Sequence, residues 1–65
     1  WASVLEHARA GMWPDDFNAL ARCEGRVEGR SITLTAPTPE HAEVVRQRYA
    51  PYLANMGGYA VEVRP

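Results

Sequence analysis

The segment Ala36-Pro37-Thr38-Pro39-Glu40 constrains this chain more than any other. Pro37 has no N–H to give a β-ladder, so an extended run must stop there. Two residues later, Pro39 suits the first position of a helix, where the missing N–H is not needed; Thr38 then serves as N-cap and Glu40 falls in the acid-favouring first turn. Before the segment, Ile32 and Leu34 alternate with Ser31, Thr33 and Thr35, the pattern of a half-buried strand. After it, Ala42, Val45, Tyr49, Tyr52, Leu53 and Met56 fall on one face of a helix, with Glu43, Arg46 and Gln47 outside. A strand that runs directly into a long helix is therefore expected.

The other elements are arranged around that junction. Trp1, Val4, Leu5, Ala8 and Met12 keep helical spacing and predict a first helix over 1–10, which Gly11 is expected to end by taking a positive φ. Pro14 opens a second helix over 14–23, with Asp15 and Asp16 in its first turn and Phe17, Leu20 and Ala21 facing inward. Glu28-Gly29-Arg30 is a turn between a short strand through Val27 and the strand at 31–35. Pro51 removes a backbone bond and presses on the carbonyl of Gln47, which predicts a kink or break before Tyr52. Gly57-Gly58 closes the third helix, and Tyr59, Val61 and Val63 alternate with Ala60 and Glu62 in a last strand. The order is α-α-β-β-α-β, an α+β domain with a small three-stranded sheet packed against helices.

Length and composition narrow the function. Sixty-five residues hold one small domain, residues 1–65, and no large enzyme fold. The single cysteine, Cys23, makes no internal disulfide and is expected to be buried as a small hydrophobe; a reducing compartment is the simplest setting. The formal net charge is -1, so there is no overall basic field to attract nucleic acid or an anionic membrane. No apolar stretch is long enough to span a bilayer. The opening Trp1-Ala2-Ser3, without an initiator Met or a signal peptide, suggests a domain taken from a longer protein.

Trp1-x-x-Val4-Leu5, Phe17, the run Ile32 to Thr38 and Tyr49 within Val44-Val45-Arg46-Gln47-Arg48-Tyr49 together resemble the N-terminal domain of the bacterial replication initiator DnaA, over nearly the whole chain. That resemblance implies a KH-like, two-layer fold. Leu20 and Val44 stand where that family commonly has tryptophan, which points to a distant relative or paralogue. The C-terminal domain of the clamp-loader tau subunit is similar in its leading Trp, short strands and helix-strand ending. Both families act in bacterial replication through protein contacts, so the resemblance implies a bacterial cytoplasmic interaction module. Its partners would be itself, a replicative helicase or a replication regulator.

Candidate residues follow from both sources. The resemblance implies that Asp16, with Asp15 and Trp13, engages a partner, and that Trp1, with Leu5 on the same helix, serves self-association. From the residues alone, Trp1 is equally a core residue, and the two aspartates are a dipole-matched helix start. Arg22, Arg26, Arg30, Arg46 and Arg48 are candidate contacts for single-stranded DNA, an alternative function of a different class. Gly25 and Gly29 lack the G-x-x-G spacing of a KH loop and precede a strand, which argues against KH-type RNA binding. His7 and His41 lack partners at ligand spacing and are expected to face solvent. No catalytic group, metal, cofactor or small-molecule substrate is expected.

Overall fold

The computed structural model describes all residues from Trp1 to Pro65. The chain folds as α1 (Ala2–Arg9), α2 (Pro14–Ala21), β1 (Glu24–Glu28), β2 (Ser31–Thr35), a long third helix and β3 (Ala60–Arg64). The third helix has three consecutive parts: α3 (Pro39–Val44), a π-helical turn (Val45–Tyr49) and α4 (Ala50–Gly57). The order is the expected α-α-β-β-α-β, and the domain is α+β. No helix is long and apolar enough to cross a membrane.

Strand order in the sheet is β1-β2-β3. β1 and β2 form an antiparallel hairpin in which Glu28 faces Ser31, so Gly29 and Arg30 alone make the turn. Gly29 supplies the left-handed φ of 58° that this tight connection needs. β2 and β3 run parallel, with Ile32 beside Val61 and Leu34 beside Val63. A parallel pair requires a crossover of a dozen residues or more, and the third helix provides it. Its start is built as the sequence predicts, with the Thr38 hydroxyl accepting from the His41 N–H at 3.1 Å. Gly58 ends it in the left-handed conformation, φ 68°.

Alternation along the strands separates two faces. Ile32, Leu34 and Val63 are buried beneath the helices, with Val27 and Val61 half-buried beside them. The opposite face is open and carries only charged, Ser, Thr and Ala side chains. Leu20, Leu34, Val45 and Leu53 are completely enclosed in the core, together with Ala8.

Five details depart from expectation. Pro51 does not break the third helix: the preceding turn widens, with the Ala50 N–H donating to the Val45 carbonyl five residues back. A wider turn relieves the press of the proline ring on the preceding carbonyls, so the helix continues past it. Helix two ends at Ala21, before Cys23, and Ala21 itself is exposed. Phe17 is half-buried but is not packed into the core cluster; Ala19 takes that role. Gly11 has no positive φ. It is needed for space, because a side chain there would collide with the Tyr52 hydroxyl.

The fifth departure is His41. Instead of facing solvent it is half-buried, and its Nε2–H donates to the Ala19 carbonyl at 2.6 Å, tying the third helix to α2. His7 stays exposed, with Nδ1 3.0 Å from the Ser3 carbonyl one turn back.

Candidate functional site

A cleft of about 380 Å³ opens where the α1–α2 connection meets the third helix, lined by Gly11, Met12, Trp13, Asp16, Arg48, Tyr49 and Tyr52. Local sequence explains why its rim is aromatic. Trp13 precedes Pro14, and a residue before proline is pushed out of the helical region; Trp13 accordingly has φ −65° and ψ 149°. It therefore belongs to the inner stripe of neither helix, and it is 79% exposed. An isolated exposed apolar residue is ordinary; one at the mouth of a cleft with Met12 and Tyr52 beside it is a candidate anchor.

The floor of the cleft is polar and ordered. The Tyr49 hydroxyl donates to Asp16 Oδ1 at 2.8 Å. Burial pushes the Tyr49 hydroxyl above the ordinary tyrosine pKa, the adjacent Asp16 carboxylate raises it further, and the nearby Arg48 guanidinium offsets part of the rise. Tyr49 therefore stays a neutral donor, holding Asp16 in place. Arg48 has no carboxylate within 4.0 Å, the three ion pairs of the chain being Arg26–Glu28, Arg46–Glu43 and Arg64–Glu62.

Of the residues singled out from the sequence, Trp13 and Asp16 share this cleft, and Arg48 joins them. Asp15 is exposed in the same helical turn but does not line the cleft. Trp1 and Leu5 lie elsewhere. The Trp1 indole rests on Gly25 of β1, where any side chain would occupy the space of the ring, and both Trp1 and Leu5 pack against the core.

The remaining arginines are dispersed. Arg22 caps the C-terminus of α2, and Arg26 lies on the open sheet face, 3.0 Å from Glu28. Arg30 donates to the Gly57 carbonyl at 2.8 Å and sits 5.7 Å from the centre of the Tyr59 ring, clamping the hairpin turn to the end of the third helix. Arg46 reaches across to the Val63 carbonyl at 3.1 Å while pairing with Glu43. Arg26 and Arg46 thus attend opposite edges of the sheet. The open face has no aromatic side chain on which bases stack.

Met12, Tyr49 and Tyr52 were assigned to the core by their helical spacing, and only the assembled fold shows that they also line the cleft. Burial raises the Cys23 thiol pKa, which disfavours the reactive thiolate. No group of three or more His, Cys, Asp or Glu side chains converges to hold a metal ion. In comparisons with known proteins, no family model, no curated protein and no solved structure matches the chain.

Proposed function

We propose that this chain is a non-catalytic protein-docking module, and that its docking site is the Trp13 cleft. The observation that carries the proposal is the position of Trp13, the most exposed large apolar side chain, on a rim whose Asp16 is held by a buried tyrosine. Interface hot spots are typically tryptophan, tyrosine or arginine in such a setting, where ordering cost is low because the geometry already exists. The resemblance of Trp1-x-x-Val4-Leu5, Phe17 and the run Ile32 to Thr38 to the replication-initiator domain supports a bacterial, cytoplasmic replication protein as the setting, and a replicative helicase or a regulator as partner. That part rests on the resemblance.

Capture of purified replicative helicase from the source organism by the wild-type domain and by Trp13→Ala tests the proposal, with a melting curve for each. Trp13→Ala should lose capture while its melting temperature stays close to wild type, since an exposed side chain away from the core contributes within about 0.5 kcal/mol to stability. Undiminished capture by Trp13→Ala removes the cleft from the interface. Absence of capture by wild type removes the helicase.

A further inference from the structure

The two charged groups of the cleft are not equivalent. Asp16 has one oxygen bonded to the Tyr49 hydroxyl and lies in the first turn of α2, where the helix N-terminus offsets a negative charge. Arg48 is not matched by an acidic group in this way. It lies within the third helix with its guanidinium beside the Tyr49 hydroxyl, and it pairs with no carboxylate. Its planar guanidinium matches a carboxylate with two parallel donors. Met12, Trp13 and Tyr52 supply the apolar wall beside it.

We infer that the cleft binds a peptide segment of a partner protein that presents an apolar side chain next to an acidic one. The apolar group rests against Met12, Trp13 and Tyr52, and the carboxylate pairs with Arg48. This rests on the docking role of the cleft and adds the chemistry of what docks there. A nucleic acid fits less well, because Asp15 and Asp16 beside Trp13 repel a run of phosphates more than they repel a single carboxylate that can seat against Arg48. Asp16 is thereby a positioning residue, which holds the tyrosine and the rim, and Arg48 is the charged anchor.

The test is an NMR titration of the 65-residue domain with three blocked hexapeptides: Gly-Gly-Asp-Leu-Gly-Gly and the same sequence with Asn or Lys in place of Asp. The observed signals are the Trp13 indole N–H, assigned with Trp13→Phe, and the Arg48 side-chain N–H. The Asp peptide should bind about fivefold more tightly than the Asn peptide, the gain from a partly exposed ion pair, and the Lys peptide most weakly. Arg48→Glu should invert the order of Asp and Lys, and Arg48→Gln should abolish the preference; a merely structural role for Arg48 produces no inversion. Equal binding of all three peptides overturns the inference while leaving Trp13 docking intact, which the helicase capture reads separately. No shift with any peptide at millimolar concentration also overturns it. So does an oligothymidylate that moves the same signals more strongly than the Asp peptide, which would make the site one for single-stranded DNA.

Discussion

Tyr49 and Asp16, thirty-three residues apart in sequence, are joined by a 2.8 Å hydrogen bond in which the tyrosine donates. One belongs to the π-helical turn and the other to the first turn of α2. The bond therefore sets the spacing of two helices and the floor of the cleft at once. Tyr49→Phe keeps the ring in the core but removes the donor. It should cost about 1 to 1.5 kcal/mol, as for loss of one partly buried hydrogen bond to a carboxylate, read as a lower denaturation midpoint at unchanged m-value.

Alkaline pH should destabilise the domain in two steps. Cys23 and Tyr49 both have raised pKa values in the fold, so the unfolded chain loses each proton first. The folded state then binds more protons than the unfolded state, and stability falls as pH rises. The first decline begins near the ordinary cysteine value of about 8.5 and the second near the ordinary tyrosine value of about 10. Denaturation midpoints measured across that range should lose the first step in Cys23→Ala and the second in Tyr49→Phe.

Gly25 and Trp1 should be coupled. Gly25→Val inserts a side chain into the space of the indole, and overpacking of this kind costs about 1 to 3 kcal/mol. Trp1→Ala vacates the space, so the double variant should be more stable than the sum of the single effects. A double-mutant cycle by denaturant titration should show a coupling of about 0.5 to 3 kcal/mol.

Leu20 and Phe17 lie on the same helix and should respond differently. Leu20→Ala removes a fully enclosed side chain and should cost about 2 to 5 kcal/mol, enough to unfold a domain this small or to lower its melting temperature sharply. Phe17→Ala should cost less than Leu20→Ala, because Phe17 packs outside the core cluster. Leu34→Ala in the middle strand should match Leu20→Ala.

Much of the fold was legible because its signals are local. The Thr38-Pro39-Glu40 start, the Gly58 stop, the Gly29 turn and the alternation of Ile32 with Leu34 are properties of a few consecutive residues, governed by backbone sterics and periodicity. The site was less legible. Trp13 and Asp16 were visible together as a patch for a protein partner, but Arg48 stood apart from them as a candidate contact for single-stranded DNA. Nothing in sequence spacing said that Trp13, Asp16 and Arg48 share a cleft.

By itself, then, the sequence determined the order of the elements, their approximate limits and which face of most of them is apolar, because hydrophobic period and capping act within one or two turns of chain. Only the tertiary structure decided that Pro51 is absorbed by a wider turn, that His41 bonds Ala19, that Trp1 lies on Gly25 and that Tyr49 holds Asp16. Each of these depends on how whole elements pack, and packing brings together side chains whose distance along the chain carries no information about their distance in space.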